Sequence, residues 1–187
     1  MDASGQIVSV TSTINLWFGS KVIDYTTGII LNDEMDDFSI PGSEGNAFGL
    51  KPSPFNFVKA GKRPLSSAVP TIIESDDGAF CMAIGASGGS RIITATLNSI
   101  INVVDFGMNM YDGIKERRFH HQLMPNRVEL EGGFGESLAE SLEKRGHEIR
   151  WGDAKGGAGS AVYGIVRRDW VFEAAADPRN FGAASAY

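Results

Sequence analysis

The chain has 187 residues, of which 42% are hydrophobic and 21% charged, and its formal net charge is −6. This balance indicates a globular protein with room for a substantial core, and it argues against intrinsic disorder. The 17 basic residues form no cluster, so a nucleic-acid-binding surface is not expected. No apolar stretch is long enough to span a bilayer, and the single cysteine, Cys81, excludes an internal disulfide.

The first third of the chain predicts short strands followed by a long loop. β-Branched and aromatic residues favour a strand at 7–18, and a second short strand is expected at 29–31. Glycines and prolines then recur through 39–61 and break any regular element. A loop of this length inside a compact domain is usually functional, often as a lid.

The middle of the chain predicts a buried hairpin followed by a helix. The runs 71–74 and 79–85 are nearly all apolar, as in strands covered on both faces, and the acidic pair before Gly78 predicts the turn between them. Cys81 lies in the second run, so we expect a buried structural thiol. After Gly88 and Gly89, apolar residues recur at helical spacing, with Ser90 as the expected N-cap.

The last third alternates helices with strands and ends in a loop. The predicted elements are helices at 109–118 and 135–145, the second ending at Gly146, and strands at 128–131, 160–166 and 170–173. The order of strands, helices and strands indicates an α+β domain, with helices packed on one face of stacked sheets. His120, His121 and His147 lack the cysteine or acid spacing of a zinc site, so we expect structural roles for them.

An acidic cluster follows the apolar run that ends at Leu31. Glu34, Asp36 and Asp37 stand there together with the amide of Asn32. Such a cluster suits a cation, for example the amino group of a substrate. A solvated turn rich in Asn and Asp is the commoner explanation for an acidic loop of this kind.

Two further segments have the composition of anion-binding turns. The pair Gly88 and Gly89 lies before a predicted helix, where backbone N–H groups and the helix dipole suit an oxyanion hole, although a tight turn is the commoner role. Ser66 and Ser67 offer adjacent hydroxyls and amides that can bind a carboxylate, or simply cap a turn.

Taken in order, the segments 11–15, 28–39, 64–67 and 85–90 resemble the light-chain half of the γ-glutamyltransferases (γ-glutamyltranspeptidases, glutathione hydrolases) of the eukaryotic kind. The resemblance runs from Asp2 to Tyr187, essentially the whole chain. It implies the four-layer αββα sandwich of the N-terminal-nucleophile (Ntn) hydrolases. This chain would then supply roughly the C-terminal half of that sandwich, as a single light-chain domain over 1–187.

The resemblance also implies roles for individual residues. The acids and Asn15 would hold the α-amino group of the γ-glutamyl donor, and the two serines its α-carboxylate. Thr13 would orient the nucleophile, and the glycine pair would form the oxyanion hole. The implied substrate-binding residues are Asn15, Glu34, Asp37, Ser66 and Ser67, and the implied catalytic residues are Thr13, Gly88 and Gly89. The segment 46–50 is similar to the family's lid loop, and no metal or organic cofactor is implied.

One departure concerns the nucleophile. In the family it is a threonine that self-cleavage makes the first residue of the light chain, and its free α-amino group serves as the base. The segment that carries it is absent from these residues, with Met1 in the place of a valine. Thr11 and Thr13 are internal, so their nitrogens are amides without a basic lone pair. We therefore expect the chain alone to be inactive.

The expected function of the complete protein is cleavage of the γ-glutamyl bond of glutathione and transfer of that group to amino acids, peptides or water. Its expected partners are glutathione, other γ-glutamyl compounds, and a heavy chain or full-length homologue in a heterodimer. The alternative is a light-chain-only protein that binds γ-glutamyl groups or a homologue without catalysis. A related acylase with another amide substrate fits the acidic pair less well. The resemblance implies passage through the secretory pathway, to the outer face of the plasma membrane or to the vacuole.

Overall fold

The computed structural model describes residues 4–152 and 159–185. The chain divides into two compact units, one formed by Met1–Thr11 with Ser67–Tyr187 and the other by Ser12–Ser66. The expectation of one domain over the whole chain stays a prediction.

The first unit contains the regular secondary structure. In chain order its elements are β1 (Thr71–Glu74), β2 (Phe80–Ser87), α1 (Arg91–Val104), α2 (Met110–Lys115), β3 (Phe119–His120), β4 (Val128–Leu130), α3 (Glu136–Glu143), β5 (Ile149–Trp151), β6 (Ala161–Arg168) and β7 (Val171–Ala176). A four-stranded antiparallel sheet has the order β1-β2-β6-β7, and a three-stranded sheet has the order β3-β4-β5, in which β4 and β5 are parallel.

Strand β2 lies at the centre of the larger core. Its side chains Met82 and Ile84 are at most 1% exposed, and they belong to one buried cluster with residues of α1, α2, β6 and β7. Gly164 pairs with Ile84 across the sheet, and a Cβ at position 164 would overlap Met110. The glycine therefore lets the start of α2 pack directly on β6.

Helix α1 packs on the sheet through an apolar stripe. Its buried residues recur every three or four positions, as one helix face requires, and they are Ile92, Ala95, Thr96, Ser99 and Val103. Helix α3 is amphipathic in the same way and buries Ala139 against a second, smaller cluster around Leu130.

A buried ionic network joins elements that are distant in sequence. Arg118, just before β3, donates to Asp177, just after β7, over 2.9 Å, and the side chains are 2% and 0% exposed. Arg179 pairs with Glu131 at 2.6 Å and with Asp177 at 3.2 Å, and it donates to three carbonyl oxygens at the end of α2. Burial lowers the pKa of Arg118, and the two neighbouring carboxylates oppose that change. Buried charges need such partners, because an unpaired one costs several kcal/mol.

The second unit has little regular structure. Its elements are single 3₁₀ turns at Glu34–Asp37 and Pro54–Asn56 and isolated bridges that join Ile23 to Ile30 and Ser39 to Phe57. Side chains hold its turns together through bonds to the backbone. Asn46 is typical, since its Oδ1 accepts from the N–H groups of Phe48 and Leu50 over 3.0 and 3.1 Å.

Several predictions of secondary structure are wrong in detail. Residues 7–18 form no strand: 5–14 have no regular secondary structure, and turns follow. The strand expected at 29–31 is reduced to the bridge at Ile30. Strand β1 is half exposed because it is an edge strand, and Cys81 is half-buried rather than buried. β-Propensity alone does not make a strand, since each strand needs a neighbour to complete its hydrogen bonds.

The other predicted elements are confirmed with shifted ends. The hairpin after residue 71, the helix after the glycine pair and the final hairpin are all present. Helix α2 ends at Lys115 because Glu116 is extended, with ψ 150. The short strands β3 and β5 were not expected. Among the described residues no helix is both long enough and apolar enough to cross a membrane.

Candidate functional site

The acidic cluster of the second unit is a single 3₁₀ turn built by local hydrogen bonds. The Asn32 side-chain oxygen accepts from the N–H of Glu34 over 3.1 Å, and the N–H of Phe38 closes the turn on the carbonyl of Met35 over 3.2 Å. Phe38 is 6% exposed and anchors the turn. Glu34 and Asp37 lie three positions apart, which brings their side chains to one side of a 3₁₀ turn.

The segment that begins at Thr13 contacts this turn. The Thr13 hydroxyl oxygen accepts from the N–H of Asn15 over 2.8 Å, and the Asn15 side chain donates to the carbonyl of Asp33 over 3.2 Å. The Asp33 carboxylate in turn accepts from the N–H of Leu16 over 3.0 Å. Asn15 has a φ of 71, a conformation that asparagine tolerates better than most residues. These contacts bring Thr13 and Asn15 to the acids predicted with them.

Glu34 is held in an unfavourable environment for a negative charge. Burial, followed by a hydrogen bond and charge repulsion from Asp37 and by the charge of Asp33, raises the pKa of Glu34 to about 7, although a hydrogen bond from Thr13 lowers it. Its Oε1 is buried and has no hydrogen-bond partner among the described residues. A cation or a hydrogen-bond donor placed between these two acids would offset their repulsion and satisfy the buried oxygen.

Asn56 was not predicted, and it connects the acidic turn to the serine segment. Its side-chain nitrogen donates to the carbonyl of Asp37 over 2.8 Å, and its oxygen accepts from the N–H of Leu65 over 3.0 Å. Leu65 directly precedes Ser66, which is exposed and is the last residue of the second unit. Ser67 is half-buried and opens the following stretch of the first unit.

The glycine pair forms the turn between β2 and α1 in the first unit. Gly88 and Gly89 have φ values of 125 and 58, in the region that favours glycine. A Cβ at position 88 would overlap the backbone of Gly159 and Ser160, so a side chain there would force that backbone to shift. The carbonyls of both glycines accept from the first N–H groups of α1, over 3.2 and 3.1 Å.

The N–H groups of Gly88 and Gly89 donate to no acceptor among the described residues. Together with the positive end of a 14-residue helix, they form the kind of donor pair that can stabilise a developing oxyanion. The helix was predicted to be capped by Ser90, but its hydroxyl caps nothing and donates instead to the side chain of Gln122 over 2.7 Å.

The predicted site residues therefore fall into two sets. The second unit holds Thr13, Asn15, Glu34, Asp37 and Ser66, and the first unit holds Ser67, Gly88 and Gly89. The structure describes the contacts within each set, and the roles that the resemblance implies for them stay predictions. Asp33 and Asn56 were missed, although both are short polar residues in a turn-rich stretch, which is the usual signal of a side chain bonded to nearby backbone.

The described residues hold no group of three His, Cys, Asp or Glu side chains that could bind a metal ion. His120 is 6% exposed, and both of its ring nitrogens have hydrogen-bond partners, which fits the structural role expected for it. His121 and His147 pack edge to face, with ring centres 6.1 Å apart.

Comparison with known proteins identifies the family. The sequence model of the gamma-glutamyltranspeptidase family matches residues 1–187. The chain is 45% identical over its whole length to glutathione hydrolase proenzyme 2 of Schizosaccharomyces pombe, and 50% identical over 95% of its length to a glutathione hydrolase proenzyme of Arthroderma benhamiae. It spans 30% of the length of each of these relatives.

Solved structures agree with this result. The γ-glutamyltranspeptidase of Pseudomonas nitroreducens, in a complex with L-DON, has a TM-score of 0.87 and 35% identity, covering 100% of this chain and 96% of that one. A cephalosporin acylase from Bacillus halodurans, 24% identical with a TM-score of 0.78, shares the fold alone. The fold is thus the α+β architecture of the Ntn hydrolases, of which these residues form a part. The chain belongs to the γ-glutamyltranspeptidase family.

Proposed function

We propose that this chain provides the light-chain part of a glutathione hydrolase that cleaves the γ-glutamyl bond of glutathione and transfers the γ-glutamyl group to water, amino acids or peptides. The relatives named glutathione hydrolase proenzymes motivate the choice of substrate. The observation that carries the proposal is the pair Glu34 and Asp37, with the raised pKa of Glu34 and its unpartnered Oε1.

The acidic pair would bind the α-ammonium group of the γ-glutamyl donor. A cation between the two carboxylates would cancel their repulsion and satisfy the unpartnered oxygen of Glu34, so binding would return the Glu34 pKa toward its ordinary value. The hydroxyl and amide N–H groups of Ser66 and Ser67 would donate hydrogen bonds to the α-carboxylate. In the first unit, the N–H groups of Gly88 and Gly89 would stabilise the oxyanion formed at the γ-carbonyl.

The nucleophile would come from a threonine outside these residues, made N-terminal by self-cleavage. Its hydroxyl would add to the γ-carbonyl, its α-amino group would take the hydroxyl proton, and that proton would pass to the leaving amine as the acyl-enzyme forms. Water or an amine would then release the γ-glutamyl group. Thr13, whose hydroxyl already interacts with Glu34, would orient the attacking hydroxyl.

The partner would be the heavy chain of the same family. Within Ser12–Ser66 several large apolar side chains are exposed, and a bound heavy chain would cover them. They include Trp17 (88% exposed), Tyr25 (93%), Phe55 (92%) and Leu65 (76%).

We also propose that the complete protein reaches the outer face of the plasma membrane or the vacuole, which imaging of the tagged full-length protein would test.

Calorimetry on the chain tests the recognition step. L-Glutamate should bind, whereas glutarate, which lacks the α-amino group, should not. Asp37→Asn should weaken glutamate binding about tenfold or more, because it removes a charged partner of the ammonium group. Asp36→Asn removes an exposed acid of the same turn and serves as the matched control. Equal binding of glutamate and glutarate would contradict the proposal.

A chimeric proenzyme tests the catalytic step. This chain replaces the matching region of the S. pombe relative, which is 45% identical, and retains that protein's own nucleophile segment. The chimera should release the γ-glutamyl group from a chromogenic substrate, whereas the chain alone should show no turnover above background. Turnover by the chain alone would overturn the assignment of the nucleophile to another segment.

The second candidate is a γ-glutamyl-binding protein without catalysis. It is favoured by the fact that neither Thr11 nor Thr13 carries a free α-amino group. Glutamate binding by the chain together with an inactive chimera would select this candidate over the first.

A further inference from the structure

The Gln122 carboxamide joins Ser90 to His120 in a hydrogen-bond series that continues to Thr94. Its Oε1 accepts from the Ser90 hydroxyl over 2.7 Å and lies 2.8 Å from Nε2 of His120, while its Nε2 donates to the carbonyl of Met124 over 2.9 Å. Ser90 and His120 are 7% and 6% exposed. The bond to Ser90 spans 32 positions in sequence, so it fastens the start of α1 to the segment after β3.

The pattern of bonds assigns the hydrogen positions. Because the amide nitrogen of Gln122 donates to a carbonyl, its oxygen faces Ser90 and His120, and His120 must carry its proton on Nε2. Nδ1 of His120 is then an acceptor, and the single proton of the Thr94 hydroxyl goes to it over 2.7 Å rather than to the more distant carbonyl of Arg91 at 3.3 Å. Burial, as the largest cause, lowers the pKa of His120, which favours this neutral form. One arrangement of hydrogens thus provides a hydrogen bond at each step from the side chain of Thr94 through His120 and Gln122 to Ser90.

Ser90 is the residue directly after the glycine turn. Before the turn, pairing of Ser87 with Ala161 fixes the end of β2. After it, Ser90 has helical dihedral angles of −60 and −22 and commits its hydroxyl to Gln122 rather than to a helix cap. Glycines have the widest choice of backbone angles, so a turn of two glycines needs fixed residues on both sides.

We propose that Gln122 is a positioning residue for the oxyanion turn: through the Ser90 hydroxyl it fixes the direction of the N–H groups of Gly88 and Gly89. The inference rests on the proposed function for its catalytic consequence, but its structural consequence can be measured independently. Misplacement of an oxyanion donor lowers transition-state stabilisation, whereas it leaves ground-state binding nearly unchanged.

The structural test uses the 187-residue chain labelled with ¹⁵N-glycine. Gln122→Leu and Ser90→Ala each remove the Ser90–Gln122 bond, so both should shift or broaden the amide signals of Gly88 and Gly89. Gln122→Glu keeps an acceptor oxygen and should leave these signals closer to their original positions. Ser99→Ala is the matched control, since it removes a buried hydroxyl of the same helix that has no described partner.

The kinetic test uses the chimeric proenzyme. Ser90→Ala and Gln122→Leu should lower kcat about tenfold, with KM within twofold, because loss of one complete oxyanion donor costs about 10²–10³ in kcat and displacement costs less. Ser99→Ala should change neither constant. If Gln122→Leu does not fold, Ser90→Ala decides the result alone.

Unchanged glycine signals in Ser90→Ala, or equal changes in KM and kcat, would overturn the proposal. An inactive parent chimera would count against the proposed function instead, and the glycine signals would still decide whether Gln122 positions the turn.

Discussion

The two units of this chain are stabilised in different ways. From Ser67 onward, strands and helices bury a contiguous apolar cluster around Met82, Ile84 and Val162. Within Ser12–Ser66, all of which the structure describes, Phe38 alone among the apolar side chains is buried. That unit relies on side-chain bonds to backbone from residues such as Asp24, Asn32, Asn46 and Asn56. The unit with the acidic pair Glu34 and Asp37 is therefore the one with the smaller apolar core, and we expect it to open more readily.

The largest expected effect is in the core of the first unit. Ile84→Ala should lower the free energy of unfolding by about 4 kcal/mol, because it removes a side chain that is 1% exposed from a packed cluster. Ile72→Ala, in the adjacent strand and 44% exposed, is the control and should cost less than about 1 kcal/mol. Denaturant unfolding followed by circular dichroism measures both. Equal losses would mean that the sheet is not the main source of stability.

Phe38→Ala should act locally in the second unit. Loss of its one buried apolar side chain should cost that unit about 3 kcal/mol. Hydrogen exchange should then speed up at the N–H groups of Phe38 and Ser39, which close the acidic turn and bond to Asn56. Protection in β2 should stay as it was. If exchange increases equally in β2, the two units unfold as one and the contrast between them fails.

Gly88→Ala should destabilise the first unit by about 1–3 kcal/mol, since its Cβ would overlap backbone atoms of Gly159 and Ser160 at a positive φ. Gly78→Ala is the matched control: Gly78 also has a positive φ, of 78, but a Cβ there meets nothing within 4 Å. The difference between their thermal midpoints measures the cost of the overlap together with the cost of the larger φ, 125, at position 88. Equal midpoints would show that position 88 has room for a side chain.

The smallest expected effect is a pH dependence from Glu34. Its folded pKa of about 7 lies above the ordinary value of 4.5, so the stability that its neutral form contributes is complete below pH 4.5 and is lost as the pH rises to about 7. The thermal midpoint of Glu34→Gln relative to the parent should therefore rise across that window and stay level above it. A difference that stays constant across this window would show that the folded environment does not disfavour the charge of Glu34.

Sequence patterns predicted the parts of the fold that depend on burial. Strands β1 and β2 were predicted from the apolar runs before and after Gly78, and helix α1 was predicted from the helical spacing after Gly89. The run at 7–18 had the composition of a strand, but no pattern within it reveals whether a partner strand is available. Strands β3 and β5 have two and three residues, too few for a period to be recognised.

The candidate site was predictable where charge or glycine marks it, as at Glu34, Asp37 and Gly88. Its supporting residues were not, because their function depends on contacts between distant positions. Gln122 is hydrogen-bonded to Ser90, 32 positions away in sequence, and Asn56 is hydrogen-bonded to Asp37, 19 positions away. Neither side chain stands out in composition or spacing, so only the folded chain shows what it supports.

Because Asp177 and Arg179 belong to the ionic network around Arg118, the segment after β7 contributes to the stability of the first unit. A truncation that removes Asp177 would leave the Arg118 side chain, which is 2% exposed, without the carboxylate that it contacts most closely. An unpaired buried charge of this kind costs about 3–5 kcal/mol, which approaches the whole free energy of unfolding of many small domains. Fusion tags and proteolytic nicks near this end should therefore be judged first by whether they spare Asp177 and Arg179.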